Sequence, residues 1–104
     1  MKVAIPASNK NIESLMDDRF GRCPFFCFYN IENKSAEFKE NTLNNASEGV
    51  GPQVAEFLAK NEINEVYAAE VGPKAKTILD KLNIKTTILA TRLPIKQIIN
   101  MLNN

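Results

Sequence analysis

The hydrophobic period of this chain changes part-way along, and that change restricts the folds open to it. The first half reads as strands. Lys2 to Pro6 is short, β-branched and ended by proline. Phe25 to Ile31 is densely apolar: Phe25, Cys27, Tyr29 and Ile31 share one face, and Phe26 and Phe28 the other. Apolar residues on both faces place this strand inside a sheet. Glu32-Asn33-Lys34 makes a hairpin-like turn, and Ser35 to Asn41 returns antiparallel with Ala36 and Phe38 on one face. In the second half the repeat lengthens to that of a helix. Val54, Phe57 and Leu58 mark a helix from about Pro52 to Asn61, and Ala75, Ile78, Leu79 and Leu82 mark another from Pro73 to Leu82. Ile95, Ile98, Ile99 and Leu102 mark a third. Strands at Glu65 to Glu70 and Ile84 to Ala90 separate them. The order β-β-β-α-β-α-β-α predicts an α/β fold, a mixed sheet with helices packed on it and right-handed crossovers.

A length of 104 residues is that of a single domain, 1–104, and 44% hydrophobic residues can build one core. Thirteen basic against 12 acidic residues leave a formal net charge of +1, which argues against a nucleic-acid partner. The chain has no histidine. That removes His-based triads, zincin sites and His/Cys zinc fingers. Two cysteines form no disulfide framework, no apolar run reaches the length of a membrane span, and the opening segment is too short for a signal peptide. A reduced cytoplasmic protein is expected.

Two stretches echo each other. Val50-Gly51-Pro52-Gln53-Val54-Ala55 resembles Val71-Gly72-Pro73-Lys74-Ala75, each with glycine just before a helix and proline in its first turn. Thr91 is a candidate N-cap for the third helix. The helices after Gly72 and Thr91 are expected to start beyond the carboxyl ends of adjacent parallel strands, with the helix after Gly51 entering from the loop side, and open α/β sheets bind ligands in this region. Gly51 and Gly72 are therefore candidate anion-binding positions, although the same glycines suit the helix starts alone. Ser8, Arg19, Gly72 and Thr91 are expected to line one crevice. Arg19 and Arg22 bracket Phe20-Gly21, either as paired donors for an anion or as a turn pinned by Phe20 and by salt bridges to Asp17 or Asp18. Cys23 stands beside Arg22 and near Arg19, where cations favour a thiolate, and is the candidate metal ligand. The plain alternative is a small packing residue before Pro24. Cys27, between Phe26 and Phe28, reads as core. The carboxylates are scattered and the first strand has none, so a metal-dependent nuclease is rejected.

Phe20-Gly21-Arg22-Cys23-Pro24-Phe25-Phe26, the later Gly49-Val50-Gly51-Pro52-Gln53-Val54-Ala55, the Val71-Gly72-Pro73-Lys74-Ala75 behind it and the opening Lys2-Val3-Ala4-Ile5-Pro6 together resemble the dinitrogenase iron–molybdenum cofactor biosynthesis family. The resemblance implies a three-layer ribonuclease H-like fold without nuclease activity, with a five-stranded mixed sheet of order 3-2-1-4-5, strand 2 antiparallel, and about three helices. It also implies a non-enzymatic role in binding or chaperoning an iron–sulfur or iron–molybdenum type cluster or precursor, held transiently, with a cluster-assembly or acceptor protein as partner. The sequence departs from the cluster-associated pattern. Arg19 stands where many members have His before the Phe-Gly, and the loop Asn44 to Gly49 also lacks His. Any iron contact would then use Cys23, Cys27, carboxylates, or backbone N–H groups holding an anionic cluster. The alternative from another class is a metal-free structural or regulatory interaction domain. An enzyme acting on a small anion ranks third.

Overall fold

A computed structural model describes residues 1–44 and 49–103. The elements are β1 (Lys2–Ala7), β2 (Phe25–Asn30), β3 (Ser35–Glu40), α1 (Val50–Lys60), β4 (Glu65–Ala68), α2 (Pro73–Lys81), β5 (Lys85–Ile88) and α3 (Ile95–Leu102). They form one five-stranded sheet of order β3-β2-β1-β4-β5, as the resemblance implies. β2 runs antiparallel to both its neighbours, while β1, β4 and β5 are parallel. Residues 45–48 and 104 lie outside the described residues. Of the expected polar loop from Thr42 to Gly49, only the flanks are therefore described.

The central strand contains a proline. The β1–β4 ladder ends at Ala4↔Val66, and Pro6 stands beyond it, where no donor is needed. The Pro6 carbonyl instead accepts the Asp17 N–H at 2.9 Å as the chain returns alongside β1.

Alternation of side chains across the sheet builds two cores. Ala4, Phe26, Phe28 and Val66 meet α1 and α2 on one face through Val54, Ala55, Leu58, Ala75 and Leu79. Val3, Ile5 and Cys27 meet α3 on the other through Ile95 and Ile98. The helices thus flank the sheet on both sides.

The internal echo reaches the helix ends. α1 passes into Glu62 at φ 61 and α2 into Asn83 at φ 60, both left-handed. Each is followed by an isoleucine whose N–H reaches back across the last turn, Ile63 to the Leu58 carbonyl and Ile84 to the Leu79 carbonyl. The same interval separates Gly51 from Gly72, Leu58 from Leu79 and Ile63 from Ile84. α1–β4 and α2–β5 are two successive copies of one helix–strand unit.

The two starts differ, however. α2 begins at Pro73 with Gly72 as its N-cap, as expected. α1 begins at Val50, earlier than Pro52, because Gly49 takes the left-handed conformation at φ 69 and its carbonyl accepts the Gln53 N–H at 3.1 Å. Gly51 therefore lies inside the first turn. α3 corrects another expectation. Its N-cap is Pro94, not Thr91. Its first free donors are taken by the loop after β1, Ile95 N–H by the Ser14 carbonyl at 2.9 Å and Lys96 N–H by that of Ile12 at 2.8 Å. With these donors satisfied by backbone, no side-chain cap is needed.

Candidate functional site

Three segments meet at the carboxyl end of β4, and two glycines set how closely. A Cβ on Gly51 would lie 2.9 Å from the Ala75 Cβ, so the starts of α1 and α2 touch there. A Cβ on Gly21 would lie 2.6 Å from Val50 Cγ1, so the loop before β2 lies against the start of α1. Between them opens a cleft of about 820 Å³. Its walls are residues 18–22, the first turn of α1, and Glu70 to Ala75 around the start of α2.

The loop wall is fastened at three points. Phe20 inserts into the core and meets Phe26 edge-on, with ring centroids 6.0 Å apart. Asp17, 3% exposed, accepts hydrogen bonds from Arg19 N–H at 2.9 Å, Arg19 Nε at 3.0 Å, Arg19 Nη2 at 2.9 Å and Ser8 Oγ at 3.0 Å. Buried Asn41 donates from Nδ2 to the carbonyls of Gly21 at 3.0 Å and Cys23 at 2.8 Å. The salt bridge expected from Asp17 or Asp18 is made by Asp17, while Asn41 did not stand out in the sequence as an organiser of this loop. The Asp-x-Arg spacing offered a signal for the salt bridge. Asn41 offered none, because its partners lie across the hairpin.

The electrostatics come mainly from backbone. Arg19, Arg22 and Lys74 stand at the cleft, but Asp18 and Glu70 stand there too, and Arg19 is paired with Asp17. Side-chain charges nearly cancel. Among the described residues, the starts of α1 and α2 have no side-chain cap and no acidic residue in the first turn. Among the described residues, the N–H groups of Val50, Gly51, Lys74 and Ala75 have no acceptor. Two helix N-termini thus turn donors and positive dipole ends toward one cleft.

The structure brings together Arg19, Arg22, Gly51 and Gly72 among the expected site residues. It separates the other three. Ser8 is half-buried and spent on Asp17. Thr91 is exposed in the loop before α3, away from the cleft walls. Cys23 requires the largest correction. It is fully buried, its Sγ donates to the Phe20 carbonyl at 3.4 Å, and it belongs to the core under α1 and α2. Its arginine neighbours along the chain point outward while the thiol points in. Burial, with a further push from the Asp17 charge, raises its pKa to about 12 instead of lowering it. Cys27 is core, as expected, and burial alone pushes it up to about 12. Among the described residues no three His, Cys, Asp or Glu side chains gather to hold a metal ion. The described residues of this cleft do not fit a covalently ligated metal. Its backbone donors do fit an anion. No helix among the described residues is long and apolar enough to cross a membrane.

Burial raises the pKa of Asp17, but the hydrogen bonds from Arg19 and Ser8 outweigh it, and the carboxyl sits below its ordinary 3.8. A lowered carboxylate stabilises the fold above the unfolded value and loses that contribution as pH falls through the folded one. Asp17→Asn is expected to cost about 1–3 kcal/mol at neutral pH. The gap from wild type should shrink below pH about 4 in urea melts taken across the acid range. A gap that stays constant to pH about 2.5 would contradict the role given to this carboxylate.

The family model for the dinitrogenase iron–molybdenum cofactor matches residues 1–104. The chain belongs to this family. It is 36% identical over 87 residues to an uncharacterized protein of Methanocaldococcus jannaschii, covering 81% of this chain and 70% of that one. Among solved structures, the apo form of the orange protein from Desulfovibrio gigas superposes with a TM-score of 0.90 at 29% identity, covering 95% of this chain and 83% of that one. A NifB-like protein from Thermotoga superposes with a TM-score of 0.81 at 30% identity, covering 95% and 84%.

Proposed function

We propose that this protein binds an anionic metal–sulfur cluster of the iron–sulfur or iron–molybdenum type, or a precursor of one, as cargo in the cleft between the starts of α1 and α2. The observation that carries this reading is the convergence of two uncapped helix N-termini, with Gly51 against Ala75, on one cleft. Membership of the iron–molybdenum cofactor family supports the cargo class, and so does the similarity to the orange protein, whose superposed structure is an apo form.

The walls favour a particular kind of anion. Phe20, Val50, Pro52, Val71 and Pro73 line much of the cleft, and Pro52 and Pro73 have no N–H to offer. A small, strongly hydrated oxyanion would lose its water for few donors and apolar contact. A larger sulfide-rich anion spreads its charge and is less strongly hydrated, so the same donors and walls suit it. With no protein atom bonded to the metal, binding would be reversible. That suits holding and handing on to an acceptor protein better than catalysis.

Anaerobic reconstitution with iron and sulfide, read by visible absorbance after gel filtration, tests the reading. Tetrathiomolybdate and molybdate, equal in shape and charge, form a second comparison. The expected result is a stoichiometric chromophore and tighter binding of the sulfur anion. Cys23→Ala should keep both. Arg22→Gln with Lys74→Gln should weaken uptake about tenfold or more, as expected for losing charge-assisted donors. A protein that stays colourless and binds neither molybdenum anion would sink the reading and favour a metal-free interaction domain.

A further inference from the structure

Arg19 is the cleft cation whose position is most completely determined, and the group that determines it is outside the cleft. We propose that Asp17 is a positioning residue for ligand binding, setting both the backbone and the guanidinium of Arg19 at the rim. This inference rests on the anion-binding reading of the cleft and adds a residue that does not touch the ligand.

The geometry is specific. One buried carboxylate accepts the backbone N–H of Arg19 together with its Nε and Nη2. The same group therefore fixes where the Arg19 main chain leaves and where its side chain ends. Ser8 Oγ donates to Oδ2, the oxygen that Nη2 also uses, and so fixes the carboxylate in turn. Paired this way, the guanidinium keeps its Nη1 edge without a partner among the described residues, on a side chain 59% exposed at the cleft. A long, flexible arginine has been converted into a donor already ordered before the ligand arrives, which lowers the entropy lost on binding.

Positioning and simple charge compensation predict opposite signs. If Asp17 merely neutralised Arg19, removing its charge would strengthen anion binding. If it positions Arg19, the same change weakens binding. Tetrathiomolybdate titration of wild type, Asp17→Asn, Arg19→Gln and the double variant reads the difference. Asp17→Asn should weaken binding about five- to tenfold in the wild-type background and by no more than about twofold in Arg19→Gln, where only the contact to the residue-19 backbone N–H is left to lose. Damage to the fold alone would lower affinity by the same factor in both backgrounds. The Arg19 Nε–H signal in nitrogen-edited NMR should be sharp in wild type and broadened in Asp17→Asn. Should that variant not fold, Ser8→Ala loosens the carboxylate without touching Arg19, and a two- to threefold loss that shrinks in Arg19→Gln is expected.

Equal or tighter binding by Asp17→Asn, or an equal loss in both backgrounds, overturns the positioning role while leaving the cleft reading intact. Failure of wild type to take up either tetrathiomolybdate or a reconstituted cluster overturns the cleft reading, and the inference falls with it.

Discussion

Folded protein treated with iodoacetamide at pH 8 is expected to keep both thiols unmodified over a period in which a free cysteine reacts completely. Cys23 and Cys27 are fully buried, and moving each from 9.0 to about 12 cuts its thiolate fraction about a thousandfold before access is considered. Both should label at once in denaturant, and mass spectrometry would show the jump from none to two adducts. Rapid single labelling at Cys23 in the folded state would overturn its placement in the core. It would also restore the sequence-based idea of a reactive thiol beside arginines. The same burial explains why Cys23→Ala should leave cluster uptake in place: the change removes a packing atom under α1, not a ligand.

The second large effect concerns Gly51. Helix propensity alone says that Gly51→Ala, in the first turn of α1, should stabilise by up to about 1 kcal/mol. Packing says the reverse. The new methyl would sit 2.9 Å from the Ala75 Cβ, an atom fixed to the backbone of α2 and unable to swing away. The helices must separate, at a cost of about 1–3 kcal/mol. The two helix N-termini then move apart, and ligand uptake should fall with stability. Gly72→Ala is the matched control. It has φ −61 and nothing within 4 Å, and the loss of a favoured N-cap residue opposes the gain from a stiffer unfolded chain, so stability should change by less than about 1 kcal/mol. Urea unfolding midpoints of the two variants check this. Equal behaviour would mean that the helix contact does not set the cleft.

These two residues also show how far the sequence could be read. The sheet, its inner strand and its three helices follow from alternation and helical spacing, because local pattern reports which face is buried. Phe26 and Phe28 fell on the face opposite Cys27, as alternation requires. Gly51 and Gly72 look alike in sequence, yet one makes a close contact between helices and the other only caps one. The difference lies in Ala75, a contact that local pattern does not contain. Cys23 misled for a related reason. Adjacency along a loop does not fix which way a side chain points: Arg22 is exposed and Cys23 buried, so cations beside it in sequence did not surround its sulfur. Thr91 lost its expected capping role to backbone carbonyls of Ser14 and Ile12, far away in the chain. The cleft itself was half legible: the arginines, the glycines and a salt bridge to Asp17 or Asp18 were visible, while the burial of Asp17 and the part played by Asn41 were not.

The repeated helix–strand unit has a consequence for how this site can vary over generations. Two copies laid side by side against one sheet bring two helix starts together whatever their surface side chains are. On the anion-binding reading proposed above, the attraction would then be carried by peptide N–H groups, which no side-chain change short of proline deletes. Mutational drift can alter Arg22, Lys74, Asp18 or Glu70 and retune the strength or selectivity of the cleft. What such drift cannot spare is the missing Cβ at Gly51, where the two copies touch.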